Sequence, residues 1–378
     1  MDKSSTQRLP AIDWMRGIVL VIMVTDHASA AFNANRLFTD TAMWYQAGQS
    51  LPVLEFANRW ISHLCAPVFL FLAGTALFLS LSRKSNDGMK SGSIDADLLI
   101  RGALILAVDL TLISYFWFPG AIVLQVMYAI GLSMMAMTVL RRLTPGLNLI
   151  LALILITLPE FFARTTMPVP DGVWPHLQAF LFSAGSMVFS LGDTNVQIVV
   201  GYPLSSWLGV MLLGWCFGYA LKKTGGMSPG RLLIAGLVCL MMFVTIRGVN
   251  GFGNMLLPRD DGSLIQWLHV SKYPPSLSFL ALELGLMLLM LAGLFHWQNR
   301  TEASRNNWLL LFGQTSLFFY VAHVVLLELG ARALGVYQTS DLIASWWASL
   351  VTLALLVPLC FGFRRLKQRH PKSWLRFI

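Results

Sequence analysis

Charged residues are what this sequence has least of. Asp, Glu, Lys and Arg make up only 12% of its 378 residues, whereas 56% are hydrophobic. Soluble domains carry about 25% charged residues, so this chain has roughly half the charge that a water-facing surface needs. No hydrophilic stretch is long enough for a separate soluble domain. We therefore treat residues 1–378 as a single membrane domain.

Cysteine patterns and nucleotide loops are also missing. The chain has four cysteines, none in a CxxC or Cys/His spacing, so we expect neither a disulfide framework nor a zinc site: Cys65, Cys216, Cys239 and Cys360. No GxxxxGK[ST] or GxGxxG phosphate loop occurs, which argues against an ATP-driven pump. We expect no bound metal.

Long apolar runs take the place of these features. A run of about twenty apolar residues is long enough to span a bilayer as one helix. A helix is expected because lipid offers no hydrogen-bond partners, so the backbone groups must pair within the segment. We predict an all-α, polytopic bundle of about ten spans: 14–34, 60–82, 98–117, 120–140, 146–162, 204–221, 231–248, 275–296, 307–329 and 343–363. We interpret the first run as a retained span and not a signal peptide.

One segment fits this scheme poorly. Residues 174–200 are moderately apolar, but Gly185, Gly192, Asp193 and Asn195 interrupt them. We predict an extracytoplasmic loop over 162–204 that contains a re-entrant or surface helix.

Basic residues give the orientation. With a cytoplasmic N-terminus, ten spans leave only seven of the 27 Lys and Arg residues outside: Arg36, Arg59, Arg164, Arg247, Arg259, Lys272 and Arg332. Cytoplasmic loops are enriched in such residues, so both termini are predicted to be cytoplasmic. The net charge of +9 therefore indicates topology and not nucleic-acid binding.

Histidines provide the first candidate site. His27, His63 and His323 fall at similar depth in the outer halves of three predicted spans, and Asp26 precedes His27. Intramembrane ionisable groups are costly and are functional by default, and imidazoles transfer protons near neutral pH. A metal site and simple interhelical hydrogen bonding are the alternatives. Neighbouring helical residues point about 100° apart, so Asp26 cannot easily orient His27.

Further polar residues lie at the outer side or near mid-membrane. Lys272 and Tyr273 begin the eighth span, and Asn250 lies in the glycine-rich turn that begins at Arg247. We predict acceptor binding for these four residues. Glu283 and Asp109 lie nearer the middle of the membrane, and structural pairing is the favoured interpretation for both.

A second cluster lies at the cytoplasmic side. Arg8, Asp13 and Arg16 open the first span, and Asp13 and Arg16 are spaced to pair on one helix face. Arginine side chains suit phosphates, so Arg8, Arg16, Arg101 and Arg141 are candidates for a nucleotide-phosphate site. Positive-inside anchoring is the alternative for Arg101, Arg141 and Arg142.

Six fragments in order give a family resemblance. They are RLPAIDWMRGIVLVIMV (8–24), HLCAPVFLFLAG (63–74), YPLSSWLGVMLLGWCFGYAL (202–221), IRGVNGFG (246–253), KYPPSLSFLALELG (272–285) and FGQTSLFFYVAHVVLLEL (312–329). Together they resemble the heparan-alpha-glucosaminide N-acetyltransferase catalytic family of transmembrane acyltransferases. The resemblance implies a bacterial inner-membrane protein that takes acetyl groups from cytosolic acetyl-CoA. The resemblance can be carried over by position only for Arg8, Asp13, Arg16 and the segments 67–74 and 202–218.

The resemblance has departures. The lysosomal members have asparagine where this chain has His27, and aspartate where it has His63. Their proposed catalytic histidine lies in the first luminal loop, and the corresponding segment 35–59 here contains none. The role of that histidine therefore cannot be transferred by position.

These inferences combine into one hypothesis. We expect acyl transfer, most simply acetyl, from cytoplasmic acyl-CoA to an amine or hydroxyl of a sugar or envelope glycan on the periplasmic side. His27 would be the general base, with Asp26, His63 or His323 supporting it. A proton-coupled secondary transporter is the alternative, and a non-catalytic scaffold is a weaker one. Besides the glycan, membrane lipid is an expected partner, and a homo-oligomer is left open.

Overall fold

The helical prediction is confirmed. A computed structural model describes residues 9–164, 173–191, 194–300, 307–371 and 373–377, and it is mostly helical. Within these residues, eight helices are long and apolar enough to cross a membrane. They are α1 (Pro10–Phe32), the run from α2 (Val53–Ile61) through α3 (Cys65–Asn86), α7 (Pro145–Arg164), α9 (Leu204–Thr224), α10 (Pro229–Val249), α12 (Leu277–Gln298), α14 (Ser316–Ala333) and α15 (Leu342–Arg369).

Six further α-helices occur among the described residues. They are α4 (Ser91–Val108), α5 (Ser114–Trp117), α6 (Val126–Leu140), α8 (Val173–Leu181), α11 (Leu264–Leu268) and α13 (Trp308–Gln314). A π-helical turn, Asp109–Ile113, joins α4 to α5 without a break. The predicted span 98–117 therefore lies within one longer helical run. The predicted span 120–140 is wrong in its first part, because the helix begins only at Val126.

A small sheet accounts for that difference. Strands β1 (Ala121–Leu124), β2 (Gly185–Leu191) and β3 (Thr194–Val200) pair in the order β1-β3-β2. β3 lies antiparallel to β2 and parallel to β1. The helix predicted within 162–204 is present as α8, but the strands were not predicted.

Asp109 fixes the junction between α5 and α6. Its Oδ2 accepts hydrogen bonds from the backbone N–H groups of Gln125 and Tyr128, both at 2.9 Å. These N–H groups lie at the start of α6, where a helix has no internal acceptors for them. Asp109 therefore has the structural pairing that the sequence favoured.

Glycines set two close helix contacts. A Cβ atom built on Gly74 of α3 would lie 2.0 Å from the Met211 carbonyl oxygen of α9, and one on Gly214 would lie 1.8 Å from that of Phe71. Helices α1 and α13 pack in the same way. A Cβ atom on Gly17 would lie 2.2 Å from the Leu309 carbonyl oxygen, and one on Gly313 would lie 2.0 Å from that of Asp13. Small residues allow such backbone approach in membrane bundles.

The beginning of α1 and the end of α15 lie on one side of the bundle. Asn33, just after α1, forms a parallel β-bridge with Ser340, just before α15. The first and last long helices therefore run antiparallel, so the beginning of α1 and the end of α15 share the opposite side. This agrees with the predicted placement of the two termini on the same face of the membrane.

Candidate active site

A cavity of about 480 Å³ lies at the end of the bundle remote from the beginning of α1 and the end of α15. Its wall comes from the outer half of α1, the loop after it, the α2–α3 junction, α5, the sheet and α14. Nine aromatic side chains line it: Phe38, Trp44, Phe69, Trp117, Phe118, Tyr202, Tyr273, Tyr320 and Tyr337. Ligand sites for small molecules have this character, mostly apolar with a few polar groups, and volumes of about 300–1,000 Å³.

His27 and His323 form a pair at the cavity wall. His27 lines the cavity, and its Nδ1 lies 2.6 Å from Nε2 of His323. The two rings are nearly parallel, with centroids 4.9 Å apart. His323 is fully buried behind His27, and its own Nδ1 lies 3.0 Å from the Phe319 carbonyl oxygen. The structure thus brings together two of the three histidines that the sequence placed at similar depth.

Asp26 is held by arginines and not by His27. Its Oδ2 lies 2.7 Å from Nη1 of Arg59, and its Oδ1 lies 3.1 Å from Nη2 of Arg36. Both arginines follow α1 in the chain, so these ion pairs hold the outer loop and α2 against α1. This matches the expectation that adjacent residues on a helix diverge.

His63 belongs to the same charged network and does not line the cavity. Its Nε2 lies 3.3 Å from Oδ2 of Asp40, which also accepts a bond of 2.7 Å from Arg59. Asp40 lies in the loop after α1. Burial alone would raise the pKa of Asp40, but Arg59 and the His63 hydrogen bond outweigh burial and hold it well below its ordinary value.

Lys272 and Tyr273, which the sequence analysis predicted to bind the acceptor, both line the cavity. The backbone N–H of Lys272 donates to the Asp40 carbonyl oxygen at 2.9 Å, and its ammonium lies 5.3 Å from the centroid of the Tyr273 ring. The Tyr273 hydroxyl accepts a bond of 3.3 Å from Arg59. Burial raises the pKa of Tyr273, but the positive charges of Lys272 and Arg59 outweigh burial and lower it.

Arg247 and Asn250 are not among the residues that line the cavity. All five N–H groups of the Arg247 guanidinium are used, by Asn254 Oδ1 and by the carbonyl oxygens of Leu257, Gln266, Trp267 and His269. Asn250 ends α10 in a left-handed conformation and bonds to both backbone groups of Arg259. Both residues therefore stabilise the loop 250–269.

The predicted phosphate-binding residues lie apart from the cavity. Arg8 is outside the described residues. Asp13 and Arg16 form the predicted i,i+3 pair at 3.4 Å, and Arg16 also donates to the Leu72 carbonyl oxygen at 2.8 Å. Arg141 is bound by Asp95 at 2.8 Å and by the Ser91 hydroxyl, so it joins α6 to α4. Arg101 is exposed on α4.

Four site residues were missed in the sequence. Arg36, Arg59 and Asp40 are polar loop residues, and nothing in the pattern marks them as partners of Asp26 and His63. Tyr320 had a signal, because it precedes His323 by three residues and so shares its helix face. The Tyr320 hydroxyl is buried without a hydrogen-bond partner among the described residues. Glu283 was expected to be paired, but its Oε1 is buried without a hydrogen-bond partner among the described residues.

No group of three or more His, Cys, Asp or Glu residues within the described ranges could hold a metal ion. The groups that line the cavity include imidazole, phenol and ammonium. These groups support proton transfer and the binding of an anionic or polar ligand.

The fold and cavity define a multi-pass membrane protein with a polar site at one end. The family model described as "Heparan-alpha-glucosaminide N-acetyltransferase, catalytic" matches residues 8–248. The chain belongs to this family, and is by family a membrane acetyltransferase. A search of curated proteins found no match. The matched range includes His27, Asp26, Arg59 and His63, whereas Lys272, Tyr320 and His323 lie beyond it.

Proposed function

We propose that this protein transfers an acetyl group from cytoplasmic acetyl-CoA to an amine or hydroxyl of a sugar or envelope glycan bound in the cavity. The cavity would open on the periplasmic side of a bacterial inner membrane, as the distribution of basic residues indicates. The observation that carries the proposal is the His27–His323 pair at the wall of an aromatic-lined cavity.

Hydrogen bonding assigns the protons of this pair. The Phe319 carbonyl only accepts, so the Nδ1 of His323 must carry a proton. In neutral His323 the Nε2 is then an acceptor, and the Nδ1 of His27 must be the donor between the two rings. A neutral His27 therefore keeps its lone pair on Nε2, as a general base requires.

The pair is suited to accept a proton. As the acceptor nitrogen or oxygen attacks the thioester carbon, its proton passes to Nε2 of His27. The imidazolium that forms strengthens its bond to His323, because hydrogen bonds from charged donors are stronger than neutral ones. When the C–S bond breaks, the CoA thiolate leaves and takes that proton. His323 is thus a positioning residue with the role that a carboxylate has in a catalytic triad.

Tyr320 is the best-placed donor for the oxyanion. Its ring centroid lies 6.3 Å from that of His27, and its hydroxyl has no partner among the described residues. A buried donor without a partner costs stability unless a ligand uses it. Donation to the tetrahedral oxyanion would give it that use. Asn250 is not available for this role, because its side-chain amide bonds to the backbone of Arg259.

The donor would arrive along the seam between α1 and α3. Met23 and Phe69 line the cavity floor, and Arg16 lies seven residues before Met23, about 10 Å along the helix. The seam is packed, with Val19 and Val68 fully buried. Delivery of the pantetheine arm therefore requires the two helices to separate. Arg16, Arg101 and the predicted Arg8 would bind the CoA phosphates at its cytoplasmic end.

Acetyl transfer by purified protein tests the proposal. Radiolabelled acetyl-CoA is offered with glucosamine and other glycan acceptors, and product is compared for the wild type, His27→Ala and His323→Gln. General-base catalysis contributes about 10²–10⁴-fold, so His27→Ala should lose at least a hundredfold in kcat. His323→Gln should lose less and shift the pH profile of kcat, because it changes the basicity of His27.

Two outcomes would contradict the proposal. Full activity in His27→Ala would exclude His27 as the base. Absence of acetyl-CoA binding by the wild type, together with solute uptake into proteoliposomes without acyl-CoA, would favour a transporter instead.

A further inference from the structure

Lys272 is a cation at the cavity wall that no carboxylate of the described residues contacts. Lys272 is only 4% exposed, and within the described residues its ammonium has no ion pair or hydrogen bond. The ammonium lies over the face of the Tyr273 ring. A buried ammonium without a partner is costly, so this position indicates a ligand that supplies the missing anion.

The charges around Lys272 are paired with one another and not with its ammonium. Arg36, Arg59 and Lys272 all line the cavity. Asp26 and Asp40 are bound by the two arginines, at 2.7–3.2 Å. The two carboxylates therefore pair with the two guanidinium groups, and neither contacts the Lys272 ammonium. Glu328 also lines the cavity, but it is paired with Arg332 at 3.2 Å.

Lys272 is held firmly in this position. Its backbone N–H donates to the Asp40 carbonyl oxygen at 2.9 Å, and Lys272 forms a β-bridge with Pro275. Asp40 is in turn bound by Arg59 and His63. A fixed backbone reduces the conformational entropy that is lost when a ligand binds, which favours selective recognition.

From this arrangement we infer that Lys272 binds an oxoanionic substituent of the acceptor, so that the enzyme prefers sugars bearing a carboxylate over their uncharged counterparts. The volume of about 480 Å³ admits a sugar ring with such a group. The nucleophile of the acceptor would face His27, and the oxoanion would face Lys272. The assignment of the ligand as an acceptor rests on the proposed function, whereas the anion site itself does not.

A binding experiment tests the site without acetyl transfer. Glucuronate and glucose are titrated calorimetrically into the full-length protein in nanodiscs. A charge-assisted contact is worth about one to two orders of magnitude in Kd, so glucuronate should bind the wild type at least tenfold more tightly. Lys272→Met should abolish this difference, and Lys272→Arg should retain most of it.

A matched control separates charge at the cavity from charge in general. Lys223 also lies over a tyrosine ring, that of Tyr219, at 6.0 Å, but it is at the end of α9 and not in the cavity. Lys223→Met should bind both sugars as the wild type does. Equal binding of glucuronate and glucose by the wild type, or an unchanged preference in Lys272→Met, would overturn the inference.

A kinetic experiment distinguishes acceptor binding from oxyanion stabilisation. Glucosamine and glucosaminuronate are compared as acceptors in the wild type and Lys272→Met. If Lys272 binds the acceptor, Lys272→Met should raise KM for the anionic sugar and leave KM for glucosamine unchanged. An equal loss of kcat with both sugars would assign Lys272 to the transition state and refute the inference. If no acetyl transfer occurs but the glucuronate preference persists, the proposed function fails and the anion site stands.

Discussion

Nη1 of Arg59 lies 2.7 Å from Oδ2 of Asp26, with both side chains at least 92% buried. The pair joins α2 to α1, and the second Nη of Arg59 extends the link to Asp40 at 2.7 Å. One guanidinium thus holds two carboxylates from different parts of the chain. Arg59 is therefore the central side chain of the outer cavity wall.

Replacement of Arg59 should therefore destabilise the protein strongly. Arg59→Met leaves Asp26 with Arg36 alone and Asp40 with His63 alone, and loss of one partner from a buried ion pair costs about 3–5 kcal/mol. Unfolding in detergent by urea or heat measures the change. The control is Arg142→Met, because Arg142 pairs with Asp95 at 2.6 Å but is 54% exposed. Such pairs contribute about 0–1 kcal/mol, and similar losses in the two variants would contradict the prediction.

Asp40 should make stability depend on acid pH. Its pKa in the folded protein lies well below the ordinary value of 3.8, so the unfolded chain binds a proton first as the pH falls. The stabilisation is fully present above the ordinary pKa and is lost progressively below it. The free energy of unfolding of the wild type should fall between about pH 5 and pH 3. Asp40→Asn should be less stable at pH 7. Its free energy of unfolding should change less between about pH 5 and pH 3 than that of the wild type, and an identical change would refute the assignment.

Tyr320→Phe separates catalysis from packing. The ring contacts with His27 and His323 are kept, and only the unpartnered hydroxyl is removed. Loss of one oxyanion donor costs about 10²–10³ in kcat, whereas loss of a buried unpartnered hydroxyl should leave stability unchanged or higher. Tyr337→Phe, at another part of the cavity wall, is the control. Wild-type kcat in Tyr320→Phe would exclude this hydroxyl from the mechanism.

Cys65 can report on occupation of the cavity. It lines the wall and is 6% exposed, and its thiol donates to the Val19 carbonyl oxygen at 3.3 Å. In a variant with the other three cysteines replaced by alanine, a small maleimide should label Cys65 slowly. Acetyl-CoA or an acceptor sugar should slow the labelling several-fold by blocking access. The measurement is intact-mass spectrometry over time, and labelling unaffected by either ligand would place the binding site elsewhere.

The fold was largely readable from the sequence because lipid imposes helices on apolar runs. The sheet was not, because β2 and β3 are short and the segment that contains them is interrupted by glycine. Their pairing is also non-local, since β1 precedes β3 by about seventy residues in the chain. Such pairing has no signal in local periodicity.

The candidate site was readable only in part. Depth along a helix brought His27 and His323 to the same level, and they are in contact in the structure. Depth carries no information about lateral position, so the sequence did not distinguish His63 from His27 and His323. In the structure His63 binds Asp40, which also binds Arg59, and it is not among the residues that line the cavity. Arg141 looked available to a phosphate because its partner Asp95 lies in a distant segment of the sequence. Long-range ion pairs decide these roles, and a single sequence does not encode them locally.

The glycine contacts indicate which helices stay together. Backbone atoms of α3 and α9 meet at Gly74 and Gly214, and those of α1 and α13 meet at Gly17 and Gly313, so separation within either pair would disrupt close backbone packing. Side-chain hydrogen bonds between the two pairs include those of Arg16 to Leu72 and Cys65 to Val19, and that of Arg59, in the run from α2 into α3, to Asp26. A rocking of α1 with α13 away from α3 with α9 would break these bonds and leave both glycine contacts intact.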